Sequence, residues 1–396
     1  MAGPLTGVVV VDFTQLVQGP FATQILGDMG ADIIKVEPPQ GDWNRRFSLR
    51  NSYIEGESVS FMGFNRNKRS IVVDLKNPEG VEVVRDLVRK ADVVVENFRP
   101  GVMDRLGIGY ESLRQINPRL IYVASCGYGQ SGPYVTRPGQ DLLIQAMTGM
   151  TVLTGLADDI PTATVAGIAD ITTSQLIVYG TCAALFSRER TGEGQRVDAN
   201  LYNSLMTLYT QEIVNYLNTG VLPQRKEAGW PNPYVGAPYG IYETSDSYVA
   251  IAMNPIQKVA SLLNLPQWEH VTSQSDFEHE VEIVADFSRA LQTKTTAEWL
   301  DILLAADIWC APVYSFEDLE RDPQVAENQM IINYEHPKAG TVRALGIPVK
   351  FHGTPGAIQR SAPLLGQHSV EILRDVCGYT GERVDELLAH KAVMGT

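Results

Sequence analysis

The first 130 residues alternate short β-branched runs with stretches of helical spacing, and few folds accommodate that order. Residues 8–12 (VVVVD) have no polar face, which reads as a strand covered on both sides. Gly19-Pro20 opens a helix-like stretch over 21–29. Further strands are expected at 31–37 (ADIIKVE), 70–75, 92–98 (DVVVENF) and 120–126 (LIYVASC). Asn77-Pro78 starts a helix whose apolar residues Val81, Val84, Leu87, Val88 and Ala91 recur at helical spacing. Strands that alternate with helices imply a parallel sheet with helices on both faces, joined by right-handed crossovers.

Beyond this region a long apolar helix is expected over 171–190, closed by Thr191-Gly192-Glu193-Gly194. Residues 197–201 read as a strand or as the start of another helix. The stretch 217–240 is rich in Pro, Gly and Asn and suits a linker. A strand at 248–253 (YVAIAM) and helical segments at 256–264, 280–292 and 296–305 suggest a smaller α+β domain. The tail, 364–391, is helical again and can return to the first domain. The expected organisation is a Rossmann-like α/β large domain over 1–210 and 330–396, a small domain over 225–325, and linkers at 211–224 and 326–329.

Charge narrows the partners. The 32 basic and 46 acidic residues leave a net charge of −14, which argues against nucleic acid and anionic membranes. No apolar run approaches spanning length, and the N-terminus lacks a basic start and apolar core, so a cytoplasmic location is expected. The four cysteines, at 126, 182, 310 and 377, form no C-x-x-C pair, so neither a metal site nor a disulfide framework is expected. All six histidines lie at 270 or later, so chemistry in the N-terminal half must run without imidazole.

The motifs are individually ambiguous. Gly127-Tyr128-Gly129-Gln130-Ser131-Gly132 fits G-x-G-x-x-G after a strand, but Pro133 follows where a dinucleotide site needs a helix, so a Gly-rich turn is the better reading. No P-loop, H-E-x-x-H or G-x-S-x-G occurs. The Lys68-Arg69 pair precedes a strand and is ordinarily solvated, whereas Asn97-Phe98-Arg99 with nearby Arg105 lies at a strand's carboxyl end, where open α/β sheets bind ligands. Asp170 stands at the start of the long helix. A lone Asp there is ordinarily an N-cap, but an ionised carboxylate at a loop–helix junction is also a usable nucleophile.

Taken together the segments resemble the class III CoA-transferases, the formyl-CoA and carnitine CoA-transferase family that also includes α-methylacyl-CoA racemase. The resemblance rests on 5–20 (LTGVVVVDFTQLVQGP), 30–38 (GADIIKVEP), 67–72 (NKRSIV), 91–107 (ADVVVENFRPGVMDRLG), 116–121 (INPRLI), 137–145 (RPGQDLLIQ), 167–170, 191–197 (TGEGQRV), 310–313 (CAPV) and 362–368 (APLLGQH). It implies that Asp170 is the nucleophile, that Gln18 lies near the thioester, and that Lys76, Asn97, Phe98, Arg99 and Arg105 hold coenzyme A. The substrates would be acyl-CoA thioesters and small mono- or dicarboxylic acids, with no tightly bound cofactor. The reaction would pass through an aspartyl-acyl anhydride and an aspartyl-CoA thioester, with oxyanion donors from the 127–132 turn and the loop near Gln18. The family further implies an interlocked homodimer, each chain a ring of two domains and their linkers.

Departures from the family pattern are informative. Pro38 stands where some members carry an arginine, and there is no run of glycines like the loop that covers the formyl-CoA transferase site. The racemase branch has a His-Asp pair where this chain has Gln140-Asp141, and glutamine cannot exchange a proton. Transfer therefore ranks above the two alternatives, 2-methylacyl-CoA racemisation and a non-catalytic CoA-binding module.

Overall fold

A computed structural model of the chain describes residues 3–222, 224–226, 232–271 and 279–395. The chain divides into two compact units. The first comprises Met1–Ile144, Gly167–Leu208 and Pro323–Thr396, and the second Gln145–Ala166 and Tyr209–Asp322. The segment 145–166, left in the large domain by the sequence reading, groups with the second unit.

The first unit is built on a seven-stranded sheet. Its strands are β1 (Val9–Asp12), β2 (Asp32–Glu37), β3 (Lys68–Val73), β4 (Val93–Glu96), β5 (Ile121–Cys126), β6 (Arg196–Asn200) and β7 (Val393–Met394), in the order β7-β3-β2-β1-β4-β5-β6. All neighbours are parallel except β7, which runs antiparallel to β3. Alternate residues face opposite sides. Val11, Ile34, Ile71 and Val94 join a core with the helix α2 (Pro78–Lys90) and the C-terminal helices Ser369–Asp375 and Gly381–Ala389. Val10, Ile33, Val93, Val95 and Val123 pack on the other side with α1 (Gln18–Asp28). Both faces are apolar because both are covered, which is why these strands lack a polar period.

Two further helices matter for the site: α3 (Asp141–Met147) and α4 (Ile168–Thr191). α4 corrects one expectation. It is long and apolar enough to cross a membrane by length and composition, with a mean hydropathy of 1.2 over its most apolar window. A search for unbroken apolar runs passes over it because threonines and serines punctuate it. Its buried stripe, including Ala169, Thr173, Ile177, Thr181 and Ala184, instead packs with α1 and the sheet.

The second unit carries an antiparallel sheet of Cys310–Pro312, Tyr248–Ile251 and Gly240–Glu243. Its helices Ile256–Leu262, Glu280–Leu291 and Thr296–Ala305 close a core around Tyr242, Val249, Phe287, Trp299 and Leu303. A helix, Thr210–Thr219, occupies much of the stretch assigned to a linker. The Pro-, Gly- and Asn-rich stretch 217–240 begins only at the end of that helix, and its residues 223 and 227–231 lie outside the described residues.

Candidate active site

The strand order places a topological switch between β1 and β4. The chain leaves β1 toward β2 and β3, then crosses to β4 on the other side. Open parallel sheets bind ligands at such a point, beyond the strands' carboxyl ends. Here the loop after β1 meets the loop after β4, and Asn97 joins them. Its Nδ2 donates to the Gln15 carbonyl at 2.9 Å, and its Oδ1 accepts from the Gln15 N–H at 2.9 Å.

The loop 14–20 is held from many sides. Asp12 accepts from the Thr14 N–H at 2.8 Å and from the Thr23 hydroxyl at 2.7 Å. Lys35 donates to the Thr14 carbonyl at 2.8 Å, and Lys68 to the Pro20 carbonyl at 2.9 Å. Asp42 accepts from the Leu16 N–H at 3.3 Å, while Asn44 donates to the Leu16 carbonyl at 2.7 Å. These bonds keep Leu16, a non-glycine residue, in the left-handed region at φ 67°. Gly19 must be glycine, because a Cβ there would lie 2.3 Å from the Thr14 side chain.

The supporting charges are fully buried. Lys68 pairs with Asp12 at 3.1 Å and Lys35 with Asp42 at 2.8 Å, all four side chains at 0% exposure. Burial opposes ionisation of Asp12, but Lys68 and Lys35 hold its carboxyl below the usual range. Burial pushes Lys68 down to about 8 against the pull of Asp12. Lys68 and Arg69 are thus not a solvated pair: Arg69 is bound by Asp32 and Glu371. A lysine at the head of a strand reads as an exposed end, and its partner Asp12 is 56 residues away.

Gln18, the first residue of α1, is 5% exposed and joins the loop to α4. Its Nε2 donates to the Ser125 hydroxyl at 2.6 Å, at the end of β5. Its carbonyl accepts from the Ser174 hydroxyl at 2.6 Å, and the same hydroxyl lies 2.8 Å from the Asp170 carbonyl. Ser174 therefore bridges the segments carrying Gln18 and Asp170, and Ser125 ties Gln18 to β5; sequence reasoning missed both.

Asp170 is not the N-cap; Gly167 is. Asp170 lies in the first turn of α4, and the cap comes from another helix. Asp141 Oδ1 accepts from the N–H groups of Ala169 at 2.7 Å and Asp170 at 3.1 Å. Burial, then the nearby Asp141 carboxylate, pushes the Asp170 carboxyl up to about 7. A carboxyl so shifted by burial and a like charge is a candidate catalytic group.

The remaining expected contacts divide. Asn97, Phe98 and Arg99 line a cavity of about 110 Å³ with Cys126, the 127–129 turn and Arg137 to Gly139. Phe98 also packs on the core. Arg137 stacks 4.0 Å over the Tyr134 ring and brings to the cavity a second cation that the sequence reading did not single out. Gly127 and Gly139 touch backbone to backbone, since a Cβ on Gly127 would lie 2.6 Å from the Gly139 Cα. The Gly129 N–H, a candidate oxyanion donor, is directed to Cys126 Sγ at 3.2 Å. Lys76 and Arg105 are exposed and stand outside this cavity.

Residues 5–369 match the model of CoA-transferase family III. A succinyl-CoA:glutarate CoA-transferase of Mus musculus is 35% identical, over 97% of this chain and 89% of its own. An acetyl-CoA:oxalate CoA-transferase of Acetobacter aceti is 34% identical, over 94% and 96%. Among solved structures, a CaiB/BaiF family protein from Brucella suis superposes with a TM-score of 0.85 at 33% identity, covering 95% of this chain and all of that one.

Proposed function

This chain belongs to CoA-transferase family III, and from that premise we propose that it moves coenzyme A from an acyl-CoA donor to a small dicarboxylate through covalent states of Asp170. The observation that carries the reading is the Asp170 carboxylate itself. It is partly buried, faces a second carboxylate and, among the described residues, has no cation beside it, so its ionised form is reactive.

The cycle balances without ATP or redox chemistry. Asp170 attacks the thioester carbonyl, the C–S bond breaks, and CoA leaves as thiolate, giving an aspartyl-acyl anhydride. The thiolate then attacks the aspartyl carbonyl and releases the donor acid as a carboxylate, leaving an aspartyl-CoA thioester. The acceptor carboxylate repeats these steps in reverse order and departs as the new acyl-CoA. Asn97 and Gln18 fix the loop against which the thioester would lie. Arg99 and Arg137 supply positive charge for CoA phosphates at the cavity, and Lys76 and Arg105 contribute from exposed positions. Relatives acting on succinyl-CoA, glutarate and oxalate support short dicarboxylates as substrates. The assembled enzyme in this proposal is the interlocked homodimer.

The test is mass spectrometry of the Asp170 peptide after incubation with succinyl-CoA, with and without hydroxylamine, which intercepts activated acyl groups. An adduct there, and loss of transfer by about three orders of magnitude or more in a folded Asp170→Ala variant, is the expected result. Substantial turnover in that variant would overturn the mechanism.

A further inference from the structure

The first turn of α4 brings together two carboxylates that a fold would ordinarily keep apart. Asp141 spends one oxygen on the N–H groups of Ala169 and Asp170, the donors a nucleophile at a helix start would otherwise use for its own charge. A Cβ placed on Gly167 would lie 3.6 Å from Asp170 Oδ2 and 3.8 Å from Asp141 Oδ1, so both carboxylates border the same open space. Among the described residues, no hydrogen bond reaches the Asp170 side-chain oxygens, and Asp141 is the one charge acting on them. Charged groups on the elements packed against α4 are engaged elsewhere: Asp28 of α1 with Arg66, and Arg196 of β6 with Asp198. Of the uncharged titratable groups there, Tyr122 of β5 faces Glu96, Cys126 takes the Gly129 N–H, and Tyr202 stacks on Tyr128.

We propose that Asp141 is the positioning residue for the nucleophile: it caps α4 in place of Asp170 and stations a fixed negative charge beside it, which favours the covalent states over the free enzyme. The inference rests on Asp170 being the nucleophile. When Asp170 attacks, a C–O bond forms, the C–S bond breaks, and the charge that stood beside Asp141 leaves on the CoA sulfur. In the second step a C–S bond forms, the anhydride C–O bond breaks, and the charge departs with the donor acid. Asp170 is neutral in both covalent states, so each relieves the like-charge contact, and regenerating free carboxylate restores it.

The experiment compares wild type with Asp141→Asn and Asp141→Ala. Asparagine keeps an oxygen that can accept the two N–H groups but removes the charge. In Asp141→Asn the acid limb of kcat/KM is expected to move down by about one pH unit. The fraction of enzyme carrying a succinyl-CoA-derived adduct at equilibrium, read by intact mass, is expected to fall several-fold. Asp141→Ala also loses the cap and should melt earlier, which Asp141→Asn should not. An unmoved limb and unmoved adduct fraction in Asp141→Asn, with the wild-type adduct on Asp170, would overturn this proposal alone. Absence of any wild-type adduct on Asp170 would overturn the nucleophile reading and this proposal with it. Should Asp141→Asn fail to fold, carboxyl-13C aspartate titrations of wild type and Asp141→Ala decide, with Asp170 assigned by its loss in Asp170→Asn. An Asp170 midpoint that is lower in Asp141→Ala supports the proposal, and an unmoved one overturns it, because burial raises the midpoint in both.

Discussion

Two sets of shielded carboxylates stand at the carboxyl end of the same sheet, and their surroundings differ in what faces the charge. Beneath the loop 14–20, Asp12 and Asp42 each face a lysine, and Asp12 has hydroxyl and N–H donors besides. At the head of α4, Asp170 faces Asp141 and, among the described residues, no cation. The first arrangement holds its charge firmly and fixes backbone. The second holds charge poorly and is free to lose it in a reaction. Both are shielded from water, and in the proposed mechanism it is the neighbour that makes one carboxylate scaffold and the other reagent.

The comparison breaks most visibly at Lys68. Lys68→Met removes the ion-pair partner of Asp12 from a buried site, where only Lys35, itself paired with Asp42, still offsets the charge, and is expected to cost about 3–5 kcal/mol in urea unfolding. A cost below 1 kcal/mol would mean that the pair is not structural. Asn97→Ala leaves the Gln15 N–H and carbonyl without their partner and should cost about 1–3 kcal/mol, with a fall in kcat/KM because the loop leading to Gln18 loses its anchor. Unchanged kinetics would detach that loop from catalysis.

Asp170 should respond in the opposite sense. Its folded-state value, about 7, lies above the ordinary 3.8, so the folded protein binds this proton more tightly than the unfolded chain. The group therefore destabilises the fold most above pH 7, and the penalty is relieved progressively as pH falls from about 7 toward 3.8. Asp170→Asn is expected to raise Tm by about 2–4 °C at pH 8, an advantage that shrinks by pH 5. Differential scanning calorimetry at both pH values checks the sign. The smallest effect is expected at the exposed cavity rim, where Arg99→Ala should raise KM for CoA substrates several-fold, less at high salt. A salt-independent KM would place the phosphates elsewhere.

The sheet was legible because strands covered on both faces write themselves as β-branched runs. Helix starts were less so: α1 begins at Gln18, ahead of Pro20, since proline is tolerated in a first turn. Asp170 was legible as a choice between cap and nucleophile, and the choice could not be closed locally because the true capping group lies 29 residues away. The buried lysines were illegible for the same reason. Lys68 in NKRSIV looks solvated until Asp12 and Asn65 surround it. What the sequence hides in this protein is which charge stands next to which.

The edge strand β7 carries a consequence for biosynthesis. It closes β3, yet about 320 residues separate them along the chain, and the second unit is translated in between. At roughly 5–20 residues per second, β3 waits about 16–64 s on the ribosome with that edge unpaired. During that interval the nascent chain exposes a β-branched strand open to wrong partners. A ribosome-bound chain stalled before residue 390 should therefore recruit chaperones and yield to protease at the first unit while the second is already resistant.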